Sequence, residues 1–115
     1  IPLEDIVIDP LAMTVGADPQ AVVVTLETIS RIRDEFGLNM TLGASNVSFG
    51  LPGRHALNAA FLVLASQAGL TSAIMDARTA HTVDACRASD LLLGRDEWGT
   101  AWIAAHRKAQ ETAIR

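Results

Sequence analysis

Three short apolar runs, each ending on a polar residue and each leading into a helix-forming stretch, constrain this chain more than any other feature of it. The first spans residues 5–11, where Ile6, Val7 and Ile8 favour extended backbone and Pro10 forbids a regular ladder, leaving Asp9 at the strand's C-terminal end. The second covers residues 40–44, Met40 through Ala44, and ends on Ser45 and Asn46. The third, residues 72–76, ends on the carboxylate of Asp76. None of them alternates strictly between apolar and polar. Continuous apolar strands separated by helices predict a parallel α/β sheet covered by helices.

The intervening segments carry their own start and stop signals. Asp18 and Pro19 form a helix start, a side-chain acceptor followed by a residue whose missing N–H costs nothing at the first helical position. Val22, Leu26, Ile29, Ile32 or Arg33, and Phe36 keep a helical stripe, and Gly37 supplies a left-handed stop. A loop over residues 48–53 holds two glycines and a proline. After it, Leu57, Ala60, Phe61, Leu64, Ala65 and Ala68 form a second stripe, closed in the Schellman manner by Gly69 and Leu70. A third helix is expected over residues 79–92. An extra C-terminal helix carrying Trp98, Trp102 and Ile103 follows Asp96; the two tryptophans, one turn apart, are expected to pack it against the sheet domain or to meet a second subunit or partner.

Asp9, Ser45, Asn46 and Asp76 all fall at strand C-termini, the edge where parallel α/β folds bind ligands. This reading gives one domain over residues 1–115 and leaves a barrel portion and a small doubly wound sheet both open. With 115 residues the chain is about half of a typical (βα)8 barrel of roughly 250. It opens on Ile1 and runs directly into a strand, as expected of a segment of a longer polypeptide.

Half of the residues are hydrophobic and 19% are charged, a globular balance. No apolar run approaches the roughly 20 residues of a membrane span. A formal charge of −4 with nine dispersed basic residues leaves no electrostatic footprint for nucleic acid. Cys86 is the sole cysteine, so neither an internal disulfide nor a cysteine-based metal cluster can form within this chain, which fits a reducing, cytoplasmic setting. His55, His81 and His106 are too far apart for a helical pair of metal ligands and read as solvated; no metal site is expected.

The distinctive block is Gly43-Ala44-Ser45-Asn46-Val47-Ser48-Phe49-Gly50, with Arg54 after it. Small residues at a strand end let a flat ligand approach the backbone, and an amide there offers a heterocycle both a donor and an acceptor. The same asparagine would equally serve as a cap for the loop or helix that follows.

That block, together with Asp9-Pro10-Leu11, Asn58-Ala59-Ala60-Phe61-Leu62 and the stretch from Gly69 to Asp76, resembles the methyltetrahydrofolate:corrinoid methyltransferases. These belong to the pterin-binding family, which also includes dihydropteroate synthase and the folate domain of cobalamin-dependent methionine synthase. The resemblance spans nearly the whole chain. It implies a (βα)8 TIM barrel whose last three βα units and terminal helix are these residues. It also implies methyl transfer between N5 of tetrahydrofolate and the cobalt of a corrinoid (cobalamin or a relative) carried by a separate partner protein.

By the same resemblance, Asp9 hydrogen-bonds the pterin ring, Ser45 and Asn46 line it with Asn46 reaching N5, and Arg54 lies near the pterin. Asp76, read from its place at the end of the final strand, is a candidate to face the pocket, with capping as the other role. Read without the family, Asp9 and Asp76 are also suited to capping, and Arg54 to a surface position opening a helix. Asn46 is the expected catalytic residue. A methyl group leaves N5 only as a proton or strong hydrogen bond develops there, and an amide, which cannot donate a proton at neutral pH, acts by strengthening its hydrogen bond.

Phe49 departs from relatives with a polar residue at that place, which puts a water-mediated contact there in doubt. Dihydropteroate synthase carries Ser-Arg-Lys where this chain has Ser45, Asn46 and Val47, so pyrophosphate chemistry lacks its anchor and methyl transfer is the better reading. The rival readings are an incomplete pterin-barrel module that binds or assembles without catalysis, and a synthase-like enzyme. An open half-barrel exposes apolar sheet, so a homo-oligomer is expected.

Overall fold

The computed structural model describes residues 1–114. Its helices are α1 (Ala21–Phe36), α2 (Arg54–Ala68), α3 (Ala80–Leu92) and α4 (Thr100–Ile114), and its two regular strands are β1 (Val7–Ile8) and β2 (Asn39–Met40). β1 and β2 pair in parallel, Val7 opposite Asn39 and Ile8 opposite Met40. Thr41 N–H extends the ladder to Ile8 O at 3.0 Å. On the other side of β2, Ser72 N–H donates to Met40 O (3.1 Å), Ile74 N–H to Leu42 O (2.8 Å) and Ala44 N–H to Ile74 O (3.1 Å). The third expected strand is therefore present as a short parallel ladder over residues 72–74. The spatial order of the strands is their order in the sequence.

Met40, Leu42 and Ala44 alternate along the central segment and are all buried. They form one core with Ile29 of α1 and Phe61, Leu62 and Ala65 of α2, so the helices lie over this face. α2 packs between α1 and α3. Residues opposite one another in a parallel pair share a face, so Val7, Asn39, Gly43 and Ile74 belong to the other one. That face is open: Val7 is 56% exposed and Ile74 68%. Helices cover the sheet as expected on one side, the Met40 face, among the described residues.

Several boundaries are corrected. The first strand is Val7–Ile8 rather than residues 5–11, because Leu3–Asp5 forms a 3-10 turn and Leu11 turns to φ 66°. α1 begins at Ala21, later than Asp18 and Pro19 suggest, although Asp18 Oδ1 does accept from Gln20 N–H at 2.9 Å just ahead of it. In α2 the buried stripe is Phe61, Leu62 and Ala65, while Leu57, Ala60 and Leu64 of the expected stripe are exposed. The helix is apolar around most of its circumference, so periodicity alone did not fix its rotation. Asn58, hydrogen-bonded to Ser48, shows which side faces inward. Trp98 is also corrected: at φ 60° it precedes α4, 95% exposed, and packs against no core, while Trp102 stacks on His106 with ring centroids 4.3 Å apart.

The stop signals behave as read. Gly37 closes α1 at φ 63°, and Leu70 N–H reaches Ala65 O at 2.9 Å in a Schellman-type end to α2. Asp96 holds the start of α4 through both oxygens, Oδ1 on Ala101 N–H and Oδ2 on Trp102 N–H. No helix among the described residues is long and apolar enough to cross a membrane.

Gly69 combines two constraints. Its φ is 126°, and a Cβ there would stand 2.8 Å from Arg33 Cδ and 3.0 Å from Arg33 Cβ. At Gly37 the nearest atom to such a Cβ lies 4.0 Å away. Gly69→Ala is expected to lower stability by about 1–3 kcal/mol, and Gly37→Ala by only about 1 kcal/mol. Denaturant titration of both variants checks the order; equal losses would remove the steric part of the argument.

Candidate functional site

The central segment runs straight into the Asn46 block. After Ala44 closes the last rung on Ile74, the backbone tightens into a 3-10 turn over Ala44–Ser48. Asn46 N–H donates to Gly43 O at 3.2 Å and Phe49 N–H to Asn46 O at 3.3 Å. The Asn46 side chain folds back over Gly43, where a Cβ would stand 3.1 Å from Asn46 Nδ2. Its amide makes no hydrogen bond among the described residues: the turn is capped at Gly43 without it, and α2 is capped at Gly53. The capping alternative for Asn46 is therefore not what the structure adopts. The amide is exposed at the strand end with its donor and acceptor unpaired among the described residues.

Arg54, the first residue of α2, is no free surface arginine. Its Nε donates to Ser48 Oγ at 3.0 Å and its Nη2 to Ser45 O at 2.9 Å, with the guanidinium carbon 5.9 Å from the centre of the Phe49 ring. Ser48 is buried and donates to Asn58 Oδ1 at 2.7 Å. From the other side, Thr14 Oγ1 donates to Asn46 O at 3.1 Å and Val15 N–H to Val47 O at 3.1 Å.

The two strand-end carboxylates are partly used by their own turns. Asp9 Oδ1 accepts from Leu11 N–H at 2.8 Å. Leu11 sits at φ 66°, a left-handed conformation that costs a non-glycine residue about 1–2 kcal/mol, and its carbonyl lies 3.3 Å from Thr25 Oγ1, whose shorter contact is Ala21 O at 3.1 Å. Asp76 Oδ1 accepts from both Arg78 N–H and Arg78 Nε at 3.0 Å, and Oδ2 from Nη2 at 3.1 Å.

Ser45, Arg54 and Asp76 line one cleft of ≈ 350 Å³ between the starts of α2 and α3, with His55, Asn58 and Thr82. Asp9 and Asn46 stand outside that lining. A larger cleft, ≈ 470 Å³, opens near the strand N-termini around Ser66, Cys86, Asp90 and Arg95, and holds none of the expected site residues Asp9, Ser45, Asn46, Arg54 and Asp76. The described residues form no cluster of three or more His, Cys, Asp or Glu suited to a metal.

Sequence reasoning assigned no contact at this turn and cleft to Thr14, Ser48, His55 or Asn58. Arg54 and Asn58 are four apart on one helix, so they share a face, and a serine just upstream of such a pair is the available signal. His55 gives none, since an exposed histidine in a first helical turn looks solvated.

The Arg78 guanidinium and backbone N–H beside Asp76 hold its carboxyl below the usual carboxylate range. A depressed folded-state value means that the contribution of the pair is present above the ordinary carboxylate pKa and is lost as pH falls through the lowered one. The pair is exposed, so its effect on stability is small. Arg78→Ala is expected to move the Asp76 titration upward, which carboxyl-carbon NMR detects; an unmoved titration would count against the pairing.

Two sequence comparisons relate this chain to known proteins. The family model described as pterin binding enzyme matches residues 1–76. Over 104 residues, 90% of this chain, the sequence is 33% identical to a methylcorrinoid:tetrahydrofolate methyltransferase of Eubacterium limosum, of which the match covers 38%. Methyl transfer is thus the activity of a relative much longer than this chain. With the Asn46 turn, the open strand-end edge and the family match over the same residues, the chain belongs to the pterin-binding enzyme family.

Proposed function

We propose that this chain contributes the folate-binding strand ends of an enzyme that moves a methyl group between N5 of tetrahydrofolate and a corrinoid carried by a partner protein. The observation that carries the reading is the Asn46 side chain, presented at the end of the central strand with its amide unused. A flat heterocycle fits such a place, since Gly43 adds no side chain of its own. The 33% identity to the methylcorrinoid:tetrahydrofolate methyltransferase supports the class of reaction. When bound, the partner's corrinoid supplies the cobalt that exchanges the methyl group.

Within this reading each residue has a distinct task. Asn46 hydrogen-bonds N5 and strengthens that bond as charge changes there. Asp9 offers its second carboxylate oxygen to the pterin ring while the first keeps Leu11 in place. Ser45 and Arg54 form the wall nearest the turn, and Asp76 the far wall, its charge offset by Arg78.

The whole domain in this proposal is a (βα)8 barrel of which these residues supply the last three units. Strand order equal to sequence order, helices lying side by side over one face and the open face bearing Val7 and Ile74 all support it. The same open face supports self-association of the chain as a homo-oligomer.

Asn46→Ala is expected to weaken binding of methyltetrahydrofolate by about 3- to 10-fold, the worth of one hydrogen bond. In the complete enzyme the methyl-transfer rate is expected to fall further, by about 100-fold, because the bond is strongest where charge develops. Calorimetric titration and single-turnover kinetics read the two effects; unaltered affinity and rate would remove the role of Asn46. Multi-angle light scattering is expected to show the isolated chain larger than one copy, and a compact monomer would argue against self-association.

A further inference from the structure

Ser48 is 0% exposed, buried with Ala44 and Val47 in a turn that leaves Ser45 and Asn46 at the surface. Its hydroxyl accepts from Arg54 Nε at 3.0 Å, donates to Asn58 Oδ1 at 2.7 Å and lies 3.2 Å from Ser45 O. A hydroxyl has one proton and two lone pairs, so the short Asn58 contact takes the proton and a lone pair receives the arginine. Arg54 Nη2 then closes the ring on Ser45 O at 2.9 Å. The next two carbonyls are held from the opposite side, Asn46 O by Thr14 Oγ1 and Val47 O by Val15 N–H, each at 3.1 Å. Three consecutive carbonyls are therefore tied from outside the turn, while the exposed Asn46 amide, folded back over Gly43, makes no hydrogen bond among the described residues.

A free amide on a free turn would sample many directions and give up much of its worth to a ligand in ordering. Here the backbone beneath it is immobilised by a buried polar group with its partners satisfied. The geometry points to Ser48 and Asn58 as positioning residues that, joined by Arg54, aim the Asn46 amide at the folate. This rests on the reading of Asn46 as a folate contact. The Ser48 hydroxyl is fully buried and need not touch the ligand, whereas Asn58 also lines the cleft.

A double-mutant cycle on the full chain tests this, with methyltetrahydrofolate titrated into the unaltered protein, Ser48→Ala, Asn46→Ala and the double variant. A residue acting through Asn46 loses its effect once the amide is gone. Ser48→Ala is expected to weaken binding roughly as much as Asn46→Ala, about 3- to 10-fold, and the double variant to bind no more weakly than Asn46→Ala. Losses that multiply, or a Ser48→Ala protein that binds normally while Asn46→Ala does not, overturn the positioning role and leave the Asn46 reading standing. Unaltered binding by Asn46→Ala removes the Asn46 reading instead.

A ligand-free measurement decides the positioning role in every case. The order parameter of the Asn46 side-chain NH2, from nitrogen-15 relaxation, is expected to drop in Ser48→Ala while those of amides in α1 stay constant. An unchanged value overturns the proposal, whether or not the chain binds methyltetrahydrofolate. If Ser48→Ala does not fold, Asn58→Ala at the rim of the cleft takes its place in both experiments, with the same expected and overturning results.

Discussion

The central segment, residues 39–44, is hydrogen-bonded on both sides, and the rest of the structure is arranged around that fact. Its backbone pairs with β1 through Ile8 and with residues 72–74 through Ser72 and Ile74, so it cannot shift register without breaking both ladders. Register matters because a slip of one residue would turn Met40, Leu42 and Ala44 out of the core. The same ladder determines where the strand ends. Its last rung, Ala44 N–H on Ile74 O, is immediately followed by the turn that presents Asn46.

The polar groups at this edge divide by what they bond. Asp9 and Asp76 lie at strand ends and are drawn partly into their own turns, one holding a left-handed Leu11 and the other gripping Arg78. Asn46 is spared that work because backbone amides and its neighbours do it: Arg54, Ser48 and Asn58 on one side, Thr14 and Val15 on the other. Buried hydrogen bonds among such groups are strong when complete and costly when one member is lost. A side chain aimed by a satisfied network loses less freedom on meeting a ligand than one that must first be ordered.

Where sequence reasoning succeeded, the signal was local and stereochemical. Gly37 and Gly69 end their helices because only glycine enters those conformations readily, and Asp96 begins α4 because its carboxylate meets free N–H groups. Where it erred, the answer depended on distant neighbours. The stripe of α2 was misjudged because Leu57, Leu62, Val63 and Leu64 are all apolar, and only the position of the sheet and of Ser48 selects the inward side. Trp98 was expected to pack, but a left-handed backbone at that residue places it before the helix, away from the core.

The amino-acid sequence by itself determined the parallel α/β class, the placement of Asp9, Ser45, Asn46 and Asp76 at one sheet edge, and the resemblance that the family match bears out. These follow from periodicity, from turn chemistry and from the order of motifs, all of which are written along the chain. Only the tertiary structure decided that the Asn46 amide is free while the Arg54 guanidinium is engaged, and that Ser48 rather than a more conspicuous residue lies at the centre of the turn. The reason is that a hydrogen bond between residues ten apart, or thirty-two in the case of Thr14 and Asn46, depends on how the strands and helices meet. No local propensity encodes that meeting; it is the sum of ladder register, helix rotation and the burial of one hydroxyl.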